Sequence, residues 1–215
     1  MKDAMGLLKG VYEARRYEGR DVLREMEQGD PIGEALARQR ALELSWIDPS
    51  LKGFELVQSS QALNTVMNEW YDFILETMIR GTALSLNLRM GLFGNNVSPA
   101  ATLVSDSGDG SYFHTSLGEA TGYTVDSGNS TNRSTTTFAA AASQSITNSA
   151  AASRFTFTGT DTIYGLFLIH GATLKDRSQD SGYPTTALCS AGLLDASQAV
   201  SNGSILDMVY TQSKA

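Results

Sequence analysis

The chain is poor in the residues that usually carry chemistry. Cys189 is its one cysteine, so no intrachain disulfide and no cysteine-built zinc site can form. A catalytic thiolate needs a base, and nothing local ties either histidine, His114 or His170, to Cys189. Cys189 therefore reads as a buried, inert thiol in a strand. Long apolar runs are also missing. None approaches the roughly 20 residues that cross a bilayer. Met1-Lys2-Asp3 opens a charged amphipathic stretch, not an apolar leader. The expectation is assembly in a cytoplasm, with no membrane partner. An excess of positive charge is lacking too. Sixteen Lys and Arg stand against 23 Asp and Glu, a net charge of −7. Arg15, Arg16, Arg20 and Arg24 are interleaved with Glu13, Glu18, Asp21, Glu25 and Glu27, which makes a solvated mixed-charge face and no phosphate track. No nucleic-acid partner is expected.

What is present divides near Gly81. Before it, about three residues in ten are charged; after it, about one in ten, with Gly, Ser and Thr taking over. Both tryptophans, Trp46 and Trp70, lie in the first part. The expected organisation is residues 1–81 as a helical arm with a long amphipathic helix, and 82–215 as an antiparallel β-domain. The fold class is then α+β, with the β-domain a sandwich or barrel.

Three helices are expected before Gly81. The first runs from Asp3 to about Gln28, with Leu7, Leu8, Val11, Tyr12, Val22, Leu23 and Met26 as its apolar stripe. Gly10 and Gly19 each weaken it by about 1 kcal/mol relative to Ala, so it needs a neighbour to pack on. Those seven residues are the expected subunit-interface surface. The second follows Gly29-Asp30-Pro31, with Asp30 as cap and Pro31 in the first turn, and ends before Asp48-Pro49. The third is capped by Ser59 or Ser60 and carries Leu63, Val66, Met67, Trp70, Phe73, Ile74, Thr77 and Met78 to Gly81. Its Trp70 and Phe73 read as core, and Glu69, Asp72 and Glu76 as a solvated face.

Strands are expected beyond Gly81. Leu84, Leu86, Leu88, Met90 and Leu92 alternate with polar residues and glycine. Further strands fall at 123–125, 135–139, 154–158, 162–170, 186–191 and 204–212, separated by Ser, Gly, Asn and Asp clusters. The tract 127–153 is nearly low-complexity, and such a tract is ordered when a partner or another sheet layer pins it.

The motifs point to no catalysis. Ser105 to Gly110 faintly resembles a calcium loop, but the twelfth position from Asp106 is Leu117 where a bidentate carboxylate is required; a surface turn is expected. His114 lies near Asp109 and Ser116, yet no nucleophile elbow surrounds the serine. His170 ends an apolar strand and reads as a hydrogen-bonded residue. No catalytic residue, cofactor site or metal site is expected. A carbohydrate-binding surface would draw on Tyr112, Phe113 and Tyr123 with Asp109 or Asp126.

Four segments carry a resemblance. Leu86-Asn-Leu-Arg-Met-Gly-Leu-Phe-Gly-Asn-Asn-Val-Ser-Pro99, Gly118-Glu-Ala-Thr-Gly-Tyr123, Ile163-Tyr-Gly-Leu-Phe-Leu-Ile169 and Gly203-Ser-Ile-Leu-Asp-Met-Val-Tyr-Thr211 resemble, in order and spacing, a family of small β-rich phage virion proteins. Its members are described as structural, tail or decoration proteins. The resemblance covers about 125 residues. It implies a capsid decoration or cement protein on the phage head surface. That protein would be a homotrimer clamping the major capsid protein from outside. A tail, baseplate or head–tail joining protein is the alternative, and a receptor-recognition module that binds carbohydrate a second.

Overall fold

The structure is a computed structural model, and it describes residues 8–19, 51, 54–80, 86–125, 128–175 and 179–214. Two antiparallel sheets pack face to face. The strands are β1 (Leu8–Gly19), β2 (Phe54–Leu63), β3 (Thr65–Val66), β4 (Leu88–Phe93), β5 (Tyr123–Thr124), β6 (Ser134–Thr135), β7 (Ser145–Thr147), β8 (Ser153–Phe157), β9 (Asp161–His170), β10 (Ala187–Val200) and β11 (Ile205–Lys214). Sheet A has the order β2-β1-β11-β8-β5, with β7 also paired to β11; sheet B has the order β3-β10-β9-β4-β6. The short helices are α1 (Asn68–Ile74), which runs on as a π-turn over Leu75–Ile79, and α2 (Phe113–Leu117). Strands from both sides of Gly81 share both sheets.

The expected N-terminal helical arm is overturned, because residues 8–19 are a strand. β1 lies between β2 and β11, paired from Leu8↔Lys214 to Tyr17↔Ile205 on one side and from Val11↔Leu63 to Gly19↔Phe54 on the other. Leu8, Val11 and Tyr12 do fit a helical stripe, but the segment from Val11 to Arg15 also alternates with period two. Tyr12 and Ala14 are fully buried between the sheets, while Val11, Glu13 and Arg15 point the other way. Between Val11 and Tyr17 the segment is paired on both sides, which a marginal helix could not match. Of the expected interface residues, Tyr12 is therefore committed to the chain's own core, and its hydroxyl meets Ser190. Val11 is half-buried on the opposite side, and Leu8 opens the strand. Leu7, Val22, Leu23 and Met26 lie outside the described residues, as does the second expected helix.

The third expected helix is shortened at its start. Residues 59–63 belong to β2, and helical structure begins only at Asn68. Ser60 and Ala62 point inward and Ser59, Gln61 and Leu63 outward, so the strand period governs. Met67 N–H donates to the Cys189 carbonyl (3.0 Å) and Asn68 N–H to that of Ala101 (3.0 Å). These bonds satisfy part of the helix start from outside, with no side-chain cap.

β9 explains the apolar run Ile163–Ile169. Its inner face (Ile163, Leu166, Leu168) meets Met90, Leu92 and the sheet A residues Tyr12, Phe155, Leu206 and Met208. Its outer face carries Phe167 and Ile169, covered by Leu103, Tyr112, Phe113 and Leu117 from residues 94–122. A strand buried on both faces reads as nearly continuous apolar sequence. Glycine makes this layer possible. Gly91 faces Phe167 and Gly165 faces Phe93 across the β4–β9 ladder. Each ring occupies the space where the opposite residue would carry a Cβ.

The β-strand expectations for the second half are largely met, with shifted ends. The strand expected at 135–139 is the two-residue β6, and that expected at 186–191 runs on to Val200. The Ser/Thr/Ala tract is held by this chain's own sheets. β6 pairs β4, β7 pairs β11, and the Asn148 side chain accepts from Tyr210 N–H (2.6 Å).

Candidate functional site

Among the described residues, a dense group of ionisable side chains lies under the loops that cover sheet B. Arg133 comes from the Ser/Thr-rich tract just before β6. Its side chain has no exposure to solvent. It reaches Glu119, on the loop after α2, through two bonds of 2.8 Å. It reaches Asp180, on the loop between β9 and β10, through bonds of 2.9 and 3.0 Å. A fifth bond goes to the Ala172 carbonyl (3.2 Å). The fork of the guanidinium suits two carboxylates at once. Tyr112 donates to Asp180 (2.6 Å) and His114 Nε2 lies 3.4 Å from Glu119. The guanidinium also sits over the rings of Phe113 and Phe167, 5.7 and 5.6 Å from their centroids. Nearby, the Lys175 ammonium donates to the carbonyls of Thr121 (3.1 Å) and Tyr123 (2.8 Å) and rests over the Tyr123 ring.

This cluster ties the segments 94–122, 128–133, 171–175 and 179–186 to one another. Its chemistry is that of a clasp. Burial works against the charge on Arg133, but its bonds to Glu119 and Asp180 together outweigh that and pull its proton affinity up. Burial pushes the Glu119 carboxyl up to about 7, against the opposing pull of Arg133. Burial brings the Lys175 ammonium down to about 8.

These two shifts have opposite signs in stability. The folded Glu119 holds its proton more tightly than the unfolded chain does. Its contribution is complete below about pH 4 and is lost as pH rises toward 7. The folded Lys175 holds its proton less tightly. Its contribution is complete above about pH 10 and is lost as pH falls through 8. Urea unfolding of the wild type should therefore show a loss between pH 4.5 and 7 that Glu119→Gln lacks. The difference should be about 3 kcal/mol, at about 1.4 kcal/mol per tenfold change in proton affinity. Identical pH profiles for the two proteins would remove Glu119 as its source.

The residues singled out from the sequence go to other work. Asp109 closes a turn by accepting from Ser111 N–H (2.7 Å), and Ser116 is exposed, so neither joins His114 in a triad. Asp106 accepts from Gly108 N–H (2.8 Å), as expected of a surface turn. His170 packs on Phe73 (4.7 Å between centroids), and its Nδ1 accepts from Asn87 N–H (3.2 Å). Burial lowers its proton affinity. Cys189 is buried, and its thiol is pushed up by burial, as an inert strand cysteine should be. Among the described residues, no three His, Cys, Asp or Glu side chains converge as metal ligands.

Two expectations need correction. Glu69 is not on a solvated face. It is buried, and its carboxylate accepts from Leu188 N–H (2.8 Å), Ser105 N–H (3.0 Å) and the Ser105 hydroxyl (3.3 Å), fixing α1 to sheet B and its covering loop. Asp72 is exposed, and Glu76 pairs with Arg80 (2.9 Å). The proposed sugar-stacking rings Tyr112, Phe113 and Tyr123 are all buried, so they offer no platform to a glycan; Asp126 lies outside the described residues.

Glu119, Arg133, Lys175 and Asp180 were not legible as a group. One signal was available: Arg133 is an isolated charge in a tract of Ser, Thr, Asn and Ala, and an isolated arginine there calls for a partner. No family model matches the chain, and no curated protein matches it.

Proposed function

We propose that this chain is a non-enzymatic structural protein of a phage particle. Within that class we assign it to capsid decoration. It would cement the outside of the head as a homotrimer, clamping neighbouring copies of the major capsid protein. The observation that carries the reading is the clasp. Glu119, Arg133 and Asp180 preorganise the long covering loops of sheet B. Loops fixed in advance lose little conformational freedom on docking, so surface contacts convert more fully into affinity. Many identical sites on a shell then act together, and a modest affinity per site is sufficient. The resemblance carried by residues 86–99, 118–123, 163–169 and 203–211 supports the same reading. It leaves a tail, baseplate or head–tail joining role as the second reading.

Electron cryomicroscopy of the intact particle tests both. The decoration reading expects density of this two-sheet shape on the outer head surface at the three-fold positions. Density confined to the tail or the head–tail joint would replace decoration by the second reading. A particle that lacks the chain altogether would end both. Native mass spectrometry of the purified protein is expected to give a trimer.

A further inference from the structure

The two sheets part at one end and leave a cleft of about 290 Å³. Leu88 of β4 and Leu168 of β9 form one wall; Ile146 of β7 and Tyr210 of β11 form the other. Trp70 and Phe138 flank it. Both rings are fixed. Trp70 stacks on Phe73 with centroids 5.0 Å apart, and Phe138 meets Tyr210 edge-on at 6.0 Å. Leu86 is 59% exposed and also contributes to the lining, so the space communicates with solvent.

The chemistry of the lining restricts what fits. No lining residue is charged. The polar side chains that do line the cleft mostly turn their polar atoms to the protein. Tyr210 accepts from the Asn64 amide (3.1 Å), Thr136 meets the Ser153 hydroxyl (3.5 Å), and the Cys189 thiol donates to the Ala187 carbonyl (3.5 Å). Burial keeps both the Cys189 thiol and the Tyr210 phenol protonated. The volume is roughly twice that of an apolar cavity known to take benzene. Small-molecule sites are typically of this kind, apolar and aromatic with few polar groups.

We propose that this cleft is a binding site for a neutral, largely hydrocarbon ligand the size of a substituted aromatic ring. The inference is independent of the virion reading, since it rests only on the cleft's size and lining.

Toluene is a suitable neutral probe and benzoate its charged counterpart. Titration of the full chain should shift the methyl resonances of Leu88, Ile146 and Leu168, with a dissociation constant of about 0.1–1 mM for toluene. Benzoate should bind at least tenfold more weakly. In a Trp46→Phe background, toluene should also change the fluorescence of Trp70. Ile146→Trp, a substitution at a half-buried position, should fill the cleft and weaken toluene binding at least tenfold while the circular dichroism and melting temperature stay near wild type. If Ile146→Trp unfolds the protein, Leu88→Phe makes the same test from the opposite wall. The proposal is overturned by an absence of methyl shifts up to the solubility limit of toluene. It is equally overturned by shifts elsewhere only, by equal binding of benzoate, or by undiminished binding in a folded filled-cleft variant.

Discussion

Arg133→Met should destabilise the protein by about 3 to 5 kcal/mol at pH 8, one of the two largest effects expected from this structure. The arginine side chain is fully buried and bonded to two carboxylates that have little access to water themselves. Its removal leaves Glu119 and Asp180 buried side by side with no compensating charge between them. They then must either ionise in a poor solvent or take up a proton. Lowering the pH eases the second course, so the destabilisation should be smaller at pH 5 than at pH 8. Arg133→Lys should fall between wild type and Met, because an ammonium keeps the charge but cannot fork to both carboxylates. Combining Arg133→Met with Glu119→Gln and Asp180→Asn should recover a large part of the loss, since the charges that needed Arg133 are then gone. Urea unfolding at the two pH values measures all of these. A cost under about 1 kcal/mol for Arg133→Met at pH 8 would show that the covering loops do not depend on the clasp.

Deletion of residues 1–28 should abolish cooperative folding. An arm that orders only on a partner would come away and leave an intact β-domain behind. Here the deletion takes out β1, which lies inside sheet A with β2 on one side and β11 on the other. Tyr12 and Ala14 leave the space between the sheets, and two strand edges lose their ladder. Losing one large buried aromatic side chain from a core costs about 3 to 5 kcal/mol by itself, and the unpaired backbone of two strands adds to the loss. Such a sum exceeds the small margin by which most domains are stable. The truncated chain is therefore expected to show no sigmoidal unfolding transition and poor dispersion of amide resonances. A soluble truncation with a sharp transition and native β-sheet circular dichroism would contradict the placement of β1.

The difference between these two expectations for the N-terminal segment shows where a sequence signal is ambiguous. Leu8, Val11 and Tyr12 satisfy a helical spacing, and Tyr12 with Ala14 equally satisfies a strand spacing. Over so few residues neither period excludes the other. The same overlap lengthened the third helix back into β2 and β3, because Leu63, Val66 and Met67 continue the three-and-four spacing of Trp70 and Phe73. Farther along, the ambiguity disappears. Residues 153–170 and 204–214 are rich in aromatic and branched residues and bounded by turn formers, and their strands fall close to where the pattern places them.

Local pattern sufficed for the β-rich second half, for the turn at Asp106–Gly108, for a hydrogen-bonded His170 and for a buried Cys189. Each depends on neighbours within a few residues or on burial that hydrophobicity already marks. The partners of β1, the burial of Glu69 and the clasp at Arg133 were decided by tertiary structure. Glu69 finds Leu188 after 119 residues of chain, Arg133 finds Asp180 after 47, and Tyr12 finds Ser190 after 178. A carboxylate or guanidinium looks the same in sequence whether solvent or a buried counter-charge awaits it. Only the fold's long-range closure determines which, because the free energy of a charge depends on the dielectric and the partners around it, not on its neighbours along the chain.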